Sequence, residues 1–204
     1  MIDYATSTDV AVFMGASLST NYTAAVVLAL SAASRAVDAF CGRDFETGIL
    51  TASTMQVEVR SLWKATTPRD FYTTTGLVVA LDNDGDGTAE TTVAASGYQL
   101  YPLDGYLSGV GTVPFHEIRL TDQYFPCGNV RPVLHVTAKW GWAAIPDPVK
   151  RATVQIAAQK LKDPETPFGV AGFDQFGAVR VRMDPRIAEA LQPYKRPGNA
   201  VMVA

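Results

Sequence analysis

Residues 134–149 constrain the fold more than any other stretch of the chain. Leu134, Val136, Ala138 and Trp140 recur at period two with His135, Thr137 and Lys139 between them, the spacing of a strand with one buried face. The run stops on Trp140-Gly141-Trp142 and leads at once into Ile145-Pro146-Asp147-Pro148-Val149. Asp147 is expected to accept a backbone N–H as N-cap. Pro148 suits the first helical position, where its missing donor costs nothing. Val149, Ala152, Ile156, Ala157 and Leu161 then share one helical face until Asp163-Pro164 ends it. A strand that turns on one glycine into a proline-led helix demands a fold containing both sheet and helices.

The remaining chain follows the same mixed pattern. Ser7-Thr8-Asp9 with Val10, Val12 and Phe13 predicts a short helix stopped near Gly15. A second helix begins at Thr20 or Asn21, places Val26, Val27, Leu30, Ala33, Val37 and Phe40 at helical spacing, and ends on Gly42. Arg35 and Asp38 are its only charged residues between Asn21 and Cys41. So little charge predicts burial on more than one side, part of it against another subunit. Strands are then expected at Met55–Arg60, Gly76–Leu81, Glu90–Val93, Tyr98–Pro102, His116–Leu120 and Val133–Trp140. Phe168 to Gly177 alternates glycine with phenylalanine, Ala178–Met183 reads as a short strand, and Asp184-Pro185 opens a last helix carrying Ile187, Ala188, Leu191 and Tyr194. The fold class is therefore α+β: a small helical bundle interrupted by an inserted antiparallel β-sandwich or barrel-like subdomain, with a C-terminal arm and helix. The expected divisions are 1–50 for the first bundle part, 51–142 for the β-rich insert, 143–164 for a bundle helix and 165–204 for the arm and last helix.

Charge excludes some functions. With 17 basic and 20 acidic residues the net charge is −3, which is no footprint for a general nucleic-acid binder. From Asp147 onward the balance reverses, with nine Lys or Arg against six Asp or Glu. The first residues lack the basic flank and apolar core of a secretion signal, and the apolar run from Ala24 to Ala33 is too short to span a bilayer, so a cytoplasmic site of assembly with no membrane partner is expected. Cys41 and Cys127 are then expected to stay reduced. His116 and His135 have no ligand or triad partner at recognisable spacing, and there is no P-loop, dinucleotide fingerprint, zinc spacing or nucleophile elbow. The expectation is a protein without enzymatic activity.

One stretch carries ligand chemistry. Asp82, Asp84 and Asp86 take positions one, three and five of a calcium loop, with Thr88 at seven and Glu90 at nine. Val93 stands where the twelfth-position glutamate belongs, and strands rather than helices flank the loop. Two readings stay open: a structural Ca2+ held by these residues, or an acidic hairpin tip in which Asp, Asn and Gly serve turn geometry. No other cofactor is expected.

Phe40-Cys41-Gly42-Arg43-Asp44-Phe45 closing the second helix, the Tyr98-Gln99-Leu100-Tyr101-Pro102 strand, the Lys139-Trp140-Gly141-Trp142 corner and the Ile145–Val149 helix start together resemble the head-to-tail connector, or adaptor, proteins of long-tailed double-stranded DNA bacteriophages. The resemblance implies a structural virion protein at the head–tail junction, assembled in the host cytoplasm. It implies self-association into a twelve-fold ring beneath the portal protein, a next tail-side connector or tail protein below it, and DNA passing through the channel without specific binding. It supplies no catalytic residues. For the portal-facing surface the expectation is the C-terminal arm: Phe168, Phe173 and Phe176, followed by the cations Arg180, Arg182, Arg186, Lys195 and Arg196. Two alternatives are a tail-completion or tail-terminator ring protein and a calcium-stabilised β-rich binding module.

Overall fold

The computed structural model describes residues 2–15, 20–59, 61, 63–121, 133–162 and 184–197. The chain divides into two compact units, 1–43 with 145–204, and 44–144, so it passes between them at 43/44 and again at 144/145. Both passages fall in the stretches that carry the connector resemblance.

Among the described residues the first unit holds four α-helices: α1 (Ser7–Met14), α2 (Thr20–Cys41), α3 (Asp147–Lys162) and α4 (Pro185–Leu191). A capping box starts α1: Thr6 Oγ1 accepts from the Asp9 N–H at 3.2 Å and Asp9 Oδ2 accepts from the Thr6 N–H at 2.8 Å. Gly15 ends that helix with φ +65°. Gly42 takes the same conformation after α2 and donates to Asp38 O at 2.8 Å. The third helix opens one residue earlier than its sequence implies. Pro146 O accepts the Lys150 N–H at 3.0 Å, so Asp147 is the first helical residue and Pro148 the second. Both still lie in the first turn, where Pro and Asp are tolerated.

Helix α3 forms the centre of this unit, packing against α1, α2 and α4. Val149, Ala152, Thr153, Val154, Ile156, Ala157 and Ala158 are all buried along it. Val26, Ala29, Leu30, Ala33, Val37 and Cys41 form the buried face of α2. Val27, expected on that face, is 48% exposed instead, because the 100° step per residue carries it past the edge of the contact with α3.

The second unit contains β1 (Ser53–Glu58), β2 (Lys64–Asp82), β3 (Thr91–Thr92), β4 (Tyr98–Tyr101), β5 (Tyr106–Leu107), β6 (Gly111–Thr112), β7 (Phe115–Leu120) and β8 (Val133–Trp140). The main sheet runs β1-β8-β2-β7-β4, antiparallel throughout, with β3 on β2, while β5 and β6 make a separate ribbon. The α+β class is as expected, and among the described residues the sheet stays open rather than closing as a barrel. Burial along β8 alternates strictly, with Leu134, Val136, Ala138 and Trp140 inside. They meet Val57, Val79, Leu81, Ile118 and Phe71 in one core.

Strand β2 is far longer than the Gly76–Leu81 expected. Its register shifts between Thr66 and Phe71 against β7, and again between Phe71 and Val78 against β8. Each shift resets the period-two pattern, and the first accommodates Pro68, which has no N–H to offer a ladder.

Candidate functional site

The Trp140-Gly141-Trp142 corner is built around a glycine that no other residue can replace. Gly141 sits at φ +101°, and a Cβ there would lie well inside van der Waals contact with the carbonyl oxygen of Glu46. Its N–H donates to Asp70 O at 2.6 Å, and the Trp142 N–H donates to Glu46 O at 2.8 Å. Residues 44–47 are thereby stitched to the end of β8, with Thr47 bridging Trp142 in parallel. Trp140 is buried edge-on against Phe71, centroids 5.9 Å apart, and its Nε1–H donates to Ser53 O at 2.8 Å. Trp142 lies 5.0 Å from Phe45. Arg69 adds a charged clamp, reaching Asp44 through Nε at 3.0 Å and Nη2 at 2.8 Å, and Glu46 Oε2 at 2.6 Å. The hydrogen bond to Asp44, ahead of that to Glu46, raises the guanidinium pKa further. Both tryptophans are core residues rather than a binding platform.

The acidic loop follows β2. One carboxylate oxygen from each of Asp82, Asp84, Asp86 and Glu90 lies within 4.8 Å of the others, so the four acidic side chains do converge. Thr88 is exposed beside them, and its N–H donates to Asp86 Oδ1 at 2.7 Å. Asp82 is buried and both its oxygens are engaged, Oδ1 by the Gly85 N–H at 2.5 Å and Oδ2 by the Gly87 N–H at 2.9 Å. Asp84 Oδ1 accepts from Asp86 N at 3.1 Å, and Glu90 Oε2 from Asn83 N at 2.7 Å. Burial alone would raise the Asp82 pKa, but the N–H groups of Gly87 and Gly85 and the nearby His135 outweigh it and hold the carboxyl below its usual range. His135 Nε2 is 3.9 Å from Asp82 Oδ2. That neighbour was not legible in the sequence, because it depends on the β2–β8 register.

Of the residues expected to meet a partner, Phe168, Phe173, Phe176, Arg180 and Arg182 lie outside the described residues, as does Cys127. Arg186 is exposed at the start of α4, where Asp184 Oδ1 accepts its N–H at 2.9 Å. With Asp147, Pro148, Arg151, Ala152, Gln155 and Ala190 it lines an open groove of about 520 Å³ between α3 and α4. Lys195 and Arg196 are half-buried and make contacts within the unit. Lys195 Nζ stands 4.0 Å above the Phe40 ring, and the Arg196 N–H donates to Cys41 O at 2.8 Å, satisfying a free carbonyl at the end of α2. Burial pushes the Cys41 thiol up to about 12, so it is an inert core residue.

The surface that sequence reasoning located only in part is the outer face of α2. Ala24, Ala25, Val27, Leu28, Ser31 and Ala32 are exposed, Leu28 to 73%. On α1, Val12 is 77% and Phe13 53% exposed. The only charges of α2 are engaged within the unit. Arg35 Nε pairs with Asp38 Oδ2 at 3.2 Å and its Nη2–H donates to Ile2 O at 3.0 Å, while Tyr4 Oη–H donates to Asp38 Oδ1 at 2.5 Å.

No model of a known protein family matches the chain, and no curated protein does. Solved structures do match. A chain in the neck of an empty GTA particle, computed with C6 symmetry, aligns over 92% of this chain and 87% of its own length, with a TM-score of 0.53 and 19% identity. A chain in the neck of a native GTA particle, computed with C12 symmetry, aligns over 84% and 82% with a TM-score of 0.47 and 20% identity. At this identity the first likeness establishes a shared fold.

Proposed function

We propose that this chain is a structural protein of the neck of a phage-like particle: a head-to-tail connector that closes into a ring beneath the portal, joins capsid to tail and leaves a channel for DNA. The observation that carries the reading is the fold shared over 92% of the chain with a neck chain of a GTA particle. The connector resemblance of the sequence supports it, and all of its motifs but the Tyr98–Pro102 strand lie at or beside the two passages between the units. The same resemblance implies twelve copies in the ring. A net charge of −3 suits a channel wall past which DNA slides without adhering. In this reading the C-terminal segment, with Arg186 and the groove beside it, faces the portal, and a tail-side protein docks on the opposite rim. Assembly takes place in the host cytoplasm, and no step needs a catalytic group.

Affinity capture of the tagged full-length protein from cells assembling the particle tests this reading. Recovery of portal-bearing capsids is the expected result. Recovery of tail tubes without portal would identify a tail-completion or tail-terminator protein and overturn it.

A further inference from the structure

We infer that the uncharged outer face of α2, with Val12 and Phe13 of α1 at its N-terminal end, is a surface through which neighbouring copies of this chain pack against one another. The inference rests on the ring reading above and assigns it a contact.

The face is unusual for a protein surface. From Ala24 to Ser34 the helix carries no charged residue, yet Ala24, Ala25, Val27, Leu28, Ser31 and Ala32 all meet solvent. Gly15 to Ser19 is the only chain between α1 and α2, so Phe13 cannot lie more than on the order of 20–25 Å from the start of α2. The exposed parts of Val12, Phe13, Val27 and Leu28 together leave on the order of 400 Å² of apolar side chain in water. Summed over the two helices, that is about half of what one partner contributes to a standard interface of roughly 800 Å² per side. The exposed alanines extend it and let another backbone approach closely.

The chemistry favours a second copy over other occupants. Ser31 is the single polar side chain among these exposed α2 residues, so the face offers almost nothing by which a transient, charge-selected partner would be recognised. Permanent contacts between identical subunits are the apolar kind. The expectation of an apolar run too short to span a bilayer is corrected by this helix: Thr23–Cys41 is long and apolar enough to cross a membrane, with a mean hydropathy of 1.6. Its other side is nevertheless committed to the bundle through Val26, Leu30, Ala33 and Val37. A helix lying on a lipid surface also needs cations beside its apolar face. Arg35, the only basic residue of α2, is tied to Asp38 and Ile2.

The test is site-specific photo-crosslinking in the full-length protein at its highest soluble concentration, with a benzophenone side chain at Leu28 and, as control, at exposed Lys160 of α3. Equal mixing of isotopically light and heavy protein separates contacts between copies from contacts within one. A lysine-directed reagent reports association of copies by any surface. The expected result is mixed-isotope dimers and higher ladders from position 28, with about tenfold fewer from position 160. Leu28→Glu, at a residue 73% exposed and so expected to leave the melting temperature unchanged, should reduce the lysine-linked ladder about tenfold as well. If lysine-linked ladders form without mixed-isotope products at position 28, the ring stands and this contact is wrong. If neither forms, the ring reading fails and takes the inference with it. Crosslinks from position 28 confined to residues 163–183 of the same chain, or binding to anionic lipid vesicles abolished by Leu28→Glu, would overturn it in favour of another occupant.

Discussion

The Trp140–Trp142 corner and the outer face of α2 are both apolar and both conspicuous in the sequence, yet they end in opposite environments. At the corner each group is used within the chain: the indoles are buried, the backbone N–H groups of Gly141 and Trp142 have partners, and the glycine fits where no side chain could. On α2 the residues pointing away from α3 meet water, although α3, which carries Lys150, Arg151, Lys160 and Lys162, is the more deeply buried helix. Apolar composition therefore does not say where burial comes from. A stretch with a strict conformational demand is buried by its own chain, whereas a regular helix placed at the margin of a bundle keeps a face to spare.

The sharpest way to break this contrast is at the corner. Gly141→Ala should destabilise the protein by about 3 kcal/mol or more, read as a lowered midpoint in urea, because its Cβ meets the Glu46 backbone at a φ of +101°. A neutral result would show that the corner rearranges freely. Next in size is a pair on one helix. Ala33→Asp puts an unpaired charge against α3 and should cost about 3–5 kcal/mol, while Leu28→Asp on the opposite face should change stability by less than about 0.5 kcal/mol. Equal losses from both would mean that α2 is buried all round.

A smaller effect concerns pH. Glu117 is buried on β7 between Lys64 Nζ at 2.7 Å and Arg119 Nε at 2.5 Å. Burial raises its pKa, but the hydrogen bonds from Lys64 and Arg119 outweigh burial, so the folded-state value lies below the ordinary 4.5. Between the two values the unfolded chain binds more protons than the folded one, so stability rises with pH there. The contribution is complete above the unfolded value and is lost as pH falls through the lowered folded one. Glu117→Gln should flatten the acid limb of a stability–pH curve, and an unchanged limb would contradict the assignment.

The smallest effect is expected at the acidic loop. Both oxygens of Asp82 already accept backbone N–H groups, so saturating Ca2+ should move the melting temperature by less than about 1 °C in the parent protein and in Asp84→Asn/Asp86→Asn alike. A rise of several degrees in the parent alone would identify a bound cation.

Much of this was legible in the sequence because it is local. Gly15 and Gly42 mark helix ends through hydrogen bonds a few residues long, and the alternation along 134–140 needs nothing beyond its own period. What the sequence concealed is long-range. The bulges of β2 erase its alternation, His135 reaches Asp82 only through strand register, and the deep burial of α3 follows from its place among three other helices. Lys195 and Arg196, expected at a partner surface, also meet the end of α2 through the Phe40 ring and Cys41 O, contacts no spacing encodes.

Cryo-electron microscopy of the intact particle would show whether this chain forms the proposed ring at the head–tail junction. The expected density for this chain is a closed ring of twelve copies immediately below the portal, the outer face of α2 covered by the adjacent copy. A ring at the far end of the tail tube, or a particle whose portal meets the tail without this chain between them, would contradict it.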